Sequence, residues 1–328
     1  MSVASIRGRS LLGLADLSRE GVLEVLDTAE TFVEVHSREV KKVPALRGRV
    51  VASLFYEEST RTRLSFETAA KRLSADVLSL AVASSSVKKG ESLRDTIATI
   101  DALGIDAVVM RHAASGAAEA VARYVPHVRV INAGDGLHQH PTQGLLDAFT
   151  LRQALAERAG VSGPDSGASL FAGLNVLIVG DIRHSRVARS DVAVYTTLGA
   201  RVRLAAPGTL LPPGVASWPV EVVDDLDAAL TEADVVCLLR LQRERGSGTF
   251  VPGLAEFTRT HGLTVERHAR LRPTAFVMHP GPMIRGVEID SAVADAPNAL
   301  VERQVANGVP VRMAVLYLTI AGLGREAG

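Results

Sequence analysis

The sequence predicts an α/β protein with two doubly wound parallel-sheet domains, and three features support this class. The chain has 328 residues. This exceeds the size at which one hydrophobic core usually stops growing, so two domains of roughly 150 residues are expected. Hydrophobic residues make up 47% of the chain, which is enough for two cores. Short apolar runs rich in Val, Ile and Ala alternate with segments of helical periodicity, the pattern of parallel strands covered by helices.

In the first half of the chain, three apolar runs are predicted to be strands. They are RVVASLFY at 49–56, DAVVM at 106–110 and VRVINA at 128–133. LRDTIATIDALG and GAAEAVARYV have helical periodicity and are predicted to be the helices between them. A long helix should begin near Pro141 and run through QGLLDAFTLRQALAER, and AGVSGPDSGASLFAG after it is typical of an exposed loop.

The second half repeats the alternation of strand, turn and helix. The segments that carry it are LNVLIVGD, RVRLAAP, VVDDL, DVVCLLR and TAFVMHP. The final apolar stretch, VPVRMAVLYLTIAGL, is predicted to be a buried helix that returns to pack on the body. The predicted domains are residues 1–145, completed by the C-terminal helix 306–328, and residues 146–305.

Composition narrows the classes of function. Lys plus Arg and Asp plus Glu both number 36, so no overall field attracts nucleic acid or an anionic membrane, and neither is an expected partner. The single cysteine, Cys237, forms no internal disulfide. The N-terminus lacks a run typical of a secretion signal, and no apolar stretch approaches the length of a membrane span. The cytoplasm is therefore the expected location.

One strand-to-helix segment, VLIVGDIRHSRVARS, invites comparison with dinucleotide-binding folds. That fingerprint requires three glycines, so that the backbone can approach a pyrophosphate and the helix can pack closely. Only Gly180 is present here. The segment is weak support for a nucleotide site.

The segment STRTR follows the first predicted strand directly. In an open parallel sheet, ligands bind beyond the carboxyl ends of strands, where the next helix begins. The positive end of that helix, the hydroxyl groups and one forked guanidinium are suited to an anion. We therefore predict a phosphate cradle formed by Ser59, Thr60, Arg61 and Thr62. The alternative is an ordinary serine or threonine N-cap followed by solvated arginines.

Polar clusters also end other predicted strands. They lie in VMRH, INAGDGLHQHPTQGLLDAF, VGDIRHSRVARS, LLRLQRER and VMHPGPMIRGVEI. Single members have simpler explanations: His140 could cap the long helix, and Arg186 or Arg240 could be a surface charge. Taken together, the clusters form one crevice between the domains if the carboxyl edges of both sheets face each other.

The chain resembles the aspartate carbamoyltransferases over nearly its whole length. The resemblance lies in STRTRLSFE, KKGESLRDT, NAGDGLHQHPTQGLLDAFT, GDIRHSRVARS, RLQRER and HPGPMIRGVEI, which occur in the family's order. It implies transfer of a carbamoyl group from carbamoyl phosphate to L-aspartate in pyrimidine biosynthesis, without metal or organic cofactor. It also implies that the first predicted domain binds carbamoyl phosphate and the second binds aspartate.

The resemblance assigns roles to individual positions. Those matching the carbamoyl phosphate site are Ser59, Thr60, Arg61, Thr62, Arg111, His140, Gln143, Pro280 and Gly281. Those matching the aspartate site are Lys89, Arg186, Arg240 and Gln242. The expected catalytic groups are Arg61, Thr62, Lys89, Arg111 and His140.

The loop SSSVKKGES would, on its own, be interpreted as a solvated surface turn. In the family this loop crosses to a neighbouring subunit and its lysine enters that subunit's active site. Lys89 matches the lysine, and Ser85 is the best match for the loop's serine. The resemblance thus implies a homotrimer with shared active sites, onto which regulatory chains or a dihydroorotase could dock.

The chemistry agrees with these residue types. Carbamoyl phosphate is already activated, so no covalent nucleophile is required, and positioning and charge stabilisation remain. The motifs provide no evident base for the amine proton.

Glu57 is expected either to pair with Arg186 or Arg245 when the domains close or to be exposed. Two other functions stay open: transfer to another amino acid or diamine, and a catalytically silent scaffold.

Overall fold

Two parallel sheets, one in each of two units of the chain, form the fold. The computed structural model describes residues 5–80, 90–161, 169–242, 250–251 and 253–321, apart from the side chains at 36 and 37. The first unit comprises Met1–Phe149 and Asn307–Gly328, and the second comprises Thr150–Ala306. All described strand pairs are parallel. The predicted class, two parallel-sheet α/β domains, is confirmed.

The first unit is built on a four-stranded sheet in the order β2-β1-β3-β4. Its strands are β1 (Val50–Phe55), β2 (Asp76–Leu80), β3 (Ala107–His112) and β4 (Arg129–Asp135). Its helices are α1 (Arg19–Ser37), α2 (Thr60–Arg72), α3 (Leu93–Asp101), α4 (Ala117–Tyr124), the start of α5 (Pro141–Ala159) and the end of α11 (Val301–Ala321). The three strands predicted in this half are present, and so is the long helix beginning at Pro141.

The second unit has a five-stranded sheet in the order β7-β6-β5-β8-β9. Its strands are β5 (Asn175–Gly180), β6 (Arg201–Ala205), β7 (Glu221–Val222), β8 (Val235–Leu239) and β9 (Phe276–Met278). Between them lie α6 (Arg186–Leu198), α7 (Leu226–Glu232), α8 (Leu254–His261) and α9 (Val265–His268), and α10 (Ser291–Ala294) follows β9. The order matches a doubly wound sheet, in which the chain starts centrally and extends to both edges.

Each sheet has its own core. The central four residues of β1 and all five of β8 are buried, as expected for parallel strands covered on both faces. The core of the first unit includes Leu54, Ile97, Ile100, Val108, Met110, Val121 and Val130. The core of the second unit includes Leu177, Val179, Leu230, Val236, Leu238, Val277 and Ile289.

The segment VVDDL departs from its predicted strand. Only Glu221 and Val222 are extended, and α7 begins at Leu226. Asp225 is the N-cap of that helix, where its carboxylate accepts the N–H of Ala228 at 2.9 Å. Aspartate favours such a cap over a strand, and this preference ends β7 early.

The strand order creates one switch point in each sheet. In the first unit, β1 lies between β2 and β3, so the chain leaves β1 toward one edge and later returns to its other side. In the second unit, β5 lies between β6 and β8 in the same way. Ligands of open α/β sheets bind outside the carboxyl ends of strands at such points. The segments after β1, β3, β5 and β8 are therefore where a site is expected.

Gly180, which the dinucleotide comparison singled out, has a structural role. It ends β5 with a φ of 128°, and a Cβ atom there would overlap the carbonyl oxygen of Leu239 on β8. Glycine is required because two neighbouring strands approach closely. This explanation needs no bound nucleotide.

Candidate active site

The STRTR segment begins a helix at the carboxyl end of β1. Thr60 is the first residue of α2, and Ser59 holds the N-cap position with an extended backbone. The hydroxyls of Ser18, Ser92 and Ser185 cap their helices, whereas within the described residues that of Ser59 accepts no helix N–H. The ordinary N-cap explanation of this serine therefore does not apply. Arg61 is exposed and Thr62 is buried.

Arg111 lies one strand away, near the end of β3. It pairs in register with Phe55 of β1, so its guanidinium belongs to the same sheet edge as the STRTR segment. That guanidinium donates to Glu57 Oε1 at 2.8 Å and to the carbonyl of Ala133 at 3.3 Å. The sequence did not predict the pairing of Glu57 with Arg111. The pair holds Arg111 in place at the edge.

His140 and Gln143 lie where β4 leads into α5, and both are buried. Gln143 is in the first turn of α5 and donates through Nε2 to Asp147 Oδ1, one turn later, at 3.0 Å. A bond between residues i and i+4 fixes the amide's orientation. Among the described residues, the structure thus brings the predicted carbamoyl phosphate ligands of the first unit to one edge of one sheet.

Arg312 is a buried cation that sequence reasoning did not single out. It lies in the apolar part of α11 and donates to Ser65 Oγ of α2 at 2.9 Å and to the carbonyl of Gly308 at 3.0 Å. Burial lowers the pKa of Arg312 to about 10, while the charge of Asp147 raises it and that of Arg111 lowers it further. The signal in the sequence was a single charge inside the apolar run VPVRMAVLYLTI.

In the second unit, the predicted aspartate ligands follow β5 and β8, at the switch point. Arg186 is the first residue of α6 and is 3% exposed. Arg240 and Gln242 directly follow β8 and are half-buried. The structure therefore brings two guanidinium groups and an amide to adjacent strand ends.

Asp181 connects these two strand ends through hydrogen bonds. The sequence did not predict this role. Its buried carboxylate accepts the backbone N–H of Gln242 at 3.0 Å and the N–H and ring Nδ1 of His184 at 3.1 and 2.9 Å. The connection joins the loop after β5 to the loop after β8. Asp181 lies within the motif GDIRHSRVARS, but its position there does not predict which groups its carboxylate will bind.

Pro280 and Gly281 follow β9 at the edge of the same sheet, in a segment held by a buried pair. His279 accepts the N–H of Gly281 on Nδ1 at 2.8 Å, and its Nε2 lies 3.1 Å from Glu288 Oε1. Because Nδ1 is an acceptor, Nε2 carries the proton and donates to the carboxylate. Glu288 also accepts the N–H of Ile284 at 2.6 Å. The backbone of Pro280 and Gly281 is thus rigidly supported.

Three expectations fall on residues outside the described ranges. Lys89 and Ser85 of the predicted crossing loop are among them, as is Arg245, one of the two expected partners of Glu57. Their roles stay predictions.

Among the described residues, no group of three or more His, Cys, Asp or Glu side chains could hold a metal ion. No helix in the described part of the chain is long and apolar enough to span a membrane.

Comparison with known families identifies the class of protein that these two sheet edges define. Residues 9–153 match the family model described as "Aspartate/ornithine carbamoyltransferase, carbamoyl-P binding domain". Residues 172–319 match the model described as "Aspartate/ornithine carbamoyltransferase, Asp/Orn binding domain". The chain belongs to the aspartate/ornithine carbamoyltransferase family.

Individual relatives are more specific. The chain is 57% identical over 322 residues to the aspartate carbamoyltransferase catalytic subunit of Micrococcus luteus, covering 95% of this chain and 97% of that one. It is 29% identical to aspartate transcarbamoylase from Trypanosoma cruzi. The complex of that enzyme with carbamoyl phosphate and aspartate gives a TM-score of 0.82 and covers 98% of this chain and 99% of that one. The complex of the same enzyme with N-(phosphonacetyl)-L-aspartic acid gives a TM-score of 0.83, and the match covers 97% of this chain and 98% of that one.

The fold alone does not separate the family's two substrates. Ornithine carbamoyltransferase from Pyrococcus furiosus also superposes with a TM-score of 0.82 at 28% identity, covering 98% of this chain and 100% of that one. The choice between aspartate and ornithine must therefore come from side chains.

Proposed function

We propose that this chain transfers the carbamoyl group of carbamoyl phosphate to the amino group of L-aspartate, giving N-carbamoyl-L-aspartate and phosphate in pyrimidine biosynthesis. The observation that carries the proposal is its 57% identity, over nearly its full length, to an aspartate carbamoyltransferase catalytic subunit. The arginines at the two sheet edges are suited to the anionic groups of both substrates.

The two units take different substrates in this proposal. The first, predicted as residues 1–145 with 306–328, binds carbamoyl phosphate, and the second, predicted as 146–305, binds aspartate. The descriptions of the two family models support this division. We also propose that Pro280 and Gly281, which follow β9, bind carbamoyl phosphate, as the resemblance to the aspartate carbamoyltransferases implies.

The residues of the first unit account for the chemistry. Attack by the neutral amine turns the carbamoyl oxygen into an oxyanion, which Thr62, Arg111 and His140 stabilise as hydrogen-bond donors. Each such donor contributes on the order of 3 kcal/mol to transition-state stabilisation. The carbon–oxygen bond to phosphate then breaks, and the phosphate leaves with growing negative charge, which Arg61 and the N-terminus of α2 bind, and takes up the proton that the amine loses. Ser59 and Thr60 add hydroxyl donors, and Gln143 orients the carbamoyl amide.

The residues of the second unit account for the choice of amino acid. Aspartate presents two carboxylates, which Arg186 and Arg240 can bind through forked contacts, with Gln242 reinforcing them. Ornithine would place a terminal ammonium against two guanidinium groups. A His-Cys-Leu-Pro segment is expected of ornithine enzymes, whereas this chain reads HPGP at the corresponding place.

The proposed working unit is a homotrimer in the cytoplasm, in which Lys89 enters the active site of a neighbouring subunit. Mixing inactive Lys89→Ala and Arg61→Ala proteins is expected to restore activity after subunit exchange. Some hybrid interfaces would then contain one site with both residues intact. Exchange demonstrated by mass spectrometry without recovery of activity would show that each chain supplies its own complete site.

A panel assay tests the proposed function. The purified chain is incubated with carbamoyl phosphate and each of aspartate, ornithine, other amino acids and diamines, and both phosphate and carbamoylated product are measured. We expect turnover with aspartate and none with ornithine. Turnover with a different amine would replace aspartate as the assigned substrate. An absence of product with every amine tested would favour a scaffold role.

A further inference from the structure

Asp135, the last residue of β4, is a buried carboxylate with an unusual number of donors. Its side chain is 2% exposed. The donors and their distances to its oxygens are the N–H of Gly116 (2.6 Å), Asn132 Nδ2 (2.8 Å), His138 Nδ1 (3.1 Å) and the N–H of Gln139 (3.2 Å). These donors come from the strand itself, from the turn after it and from the start of α4.

One of these bonds, together with two backbone hydrogen bonds, closes the turn that leads into α5. The Gln139 N–H binds the Asp135 carboxylate, while the Asp135 N–H donates to the Gln139 carbonyl at 3.1 Å. The N–H of His138 donates to the Asp135 carbonyl at 2.9 Å. His140, a proposed oxyanion donor, is the next residue. Its backbone position therefore depends on how this turn is closed.

Another bond reaches the neighbouring strand end. Gly116 is the N-cap of α4, the helix that follows β3, and Arg111 lies near the end of that strand. The N–H of Gly136 donates to the carbonyl of His112 at 2.9 Å, and a Cβ atom on Gly136 would overlap Ser115. The turn after β4 is thus packed tightly against the segment after β3.

We propose that Asp135 is a positioning residue, which sets the spacing between Arg111 and His140 so that both reach the carbamoyl oxygen. This inference rests on the proposed function. Asp135 itself is not proposed to contact either substrate and acts through the two strand ends that it connects.

The charge of Asp135 suits this role. Burial alone raises its pKa, but hydrogen bonds from His138, Asn132 and Gly116 and the charge of His138 lower the pKa below its ordinary value. The group is therefore an anion at neutral pH, with acceptor sites for all four donors. An asparagine would place an NH₂ group against at least one of these donors.

The test compares Asp135→Asn with a matched change at the opposite edge of the same sheet. Asp106 precedes β3, and its carboxylate accepts Arg49 Nη1 at 2.6 Å and the N–H of Val50 at 2.8 Å. Asp106→Asn is therefore the same chemical change in another carboxylate that connects strands, but away from the proposed site. Thermal unfolding is measured for both variants, with kcat and the KM of each substrate.

We expect Asp135→Asn to lower kcat/KM for carbamoyl phosphate by on the order of 10²-fold, because a small displacement of positioned groups has that cost. Asp106→Asn is expected to retain wild-type kinetics, even if both variants lose similar thermal stability. A folded Asp135→Asn protein with wild-type kinetics, or an equal loss in Asp106→Asn, would overturn the proposal.

If Asp135→Asn does not fold, a less disruptive variant tests the positioning role of Asp135. His138 is 37% exposed, and His138→Ala removes one donor to Asp135 without removing the carboxylate. A severalfold lower kcat/KM for carbamoyl phosphate at an unchanged unfolding temperature supports the positioning role, and wild-type kinetics overturns it. Failure of the proposed function is distinct, because the wild-type chain would then show no turnover with aspartate.

Discussion

Replacement of Arg61 by alanine is expected to lower kcat/KM for carbamoyl phosphate by on the order of 10³-fold while leaving the fold intact. The side chain is exposed at the first turn of α2, so its removal leaves no cavity in the core. Its proposed role is to hold the phosphate and the charge that grows as phosphate departs. Steady-state kinetics and thermal unfolding of the purified variant check both parts of this expectation.

The same helix offers a matched control. Arg63 is also exposed, and its nearest described acid is Glu67, 4.0 Å away on the next turn. Such surface pairs contribute little, so Arg63→Ala should retain wild-type activity and stability. Normal turnover by Arg61→Ala would mean that the phosphate cradle lies elsewhere. Unfolding of Arg61→Ala would instead indicate that STRTR has a structural role.

Replacement of Arg240 by alanine is expected to raise the KM for aspartate by on the order of 10²-fold, because a bound carboxylate loses its charged partner at a cost of about 3 kcal/mol. Gln242→Ala removes a neutral donor and should weaken aspartate binding less, by about fivefold to tenfold. The affinity for carbamoyl phosphate should change little in either variant. Steady-state kinetics with each substrate varied in turn measure the KM for aspartate and the KM for carbamoyl phosphate separately.

Two comparisons make the Arg240 result specific. Arg259→Ala, at an exposed arginine paired with Glu256 on α8, is the control for loss of a positive charge from the second unit. Succinate, which keeps both carboxylates but lacks the amine, should compete with aspartate in the wild type and bind weakly without carbamoyl phosphate. An Arg240→Ala enzyme with unchanged affinity for aspartate would show that this arginine serves another substrate.

Much of the fold could be predicted from the sequence because its local signals agree. The strands β1, β3, β4, β5 and β8 are apolar runs buried on both faces, and α5 begins at a proline, a residue favoured in the first helical turn. β7 was harder to place, because its two residues precede an aspartate cap. The parallel class follows from alternation alone, but strand order does not.

The site could be predicted only in part. STRTR, Arg111 and His140 could be predicted as site residues because each is polar and follows an apolar run that the sequence predicts to be a strand. The supporting acids could not be predicted, since their partners lie on elements distant in sequence. Glu57 meets Arg111 only because β1 and β3 are neighbours, and Asp135 meets Gly116 only because β3 and β4 are. Such contacts depend on sheet order, which periodicity does not specify.

In the proposed function, each chain binds carbamoyl phosphate through residues of its first unit and aspartate through residues of its second. N-(phosphonacetyl)-L-aspartic acid joins a phosphonate to an aspartate, so it should engage both sets of residues. Calorimetric titration is expected to show one molecule bound per chain, more tightly than either substrate, with affinity lowered on the order of 10²-fold by Arg61→Ala and by Arg240→Ala. An absence of binding to the wild type, or equal affinity in both variants and the wild type, would contradict the proposed function.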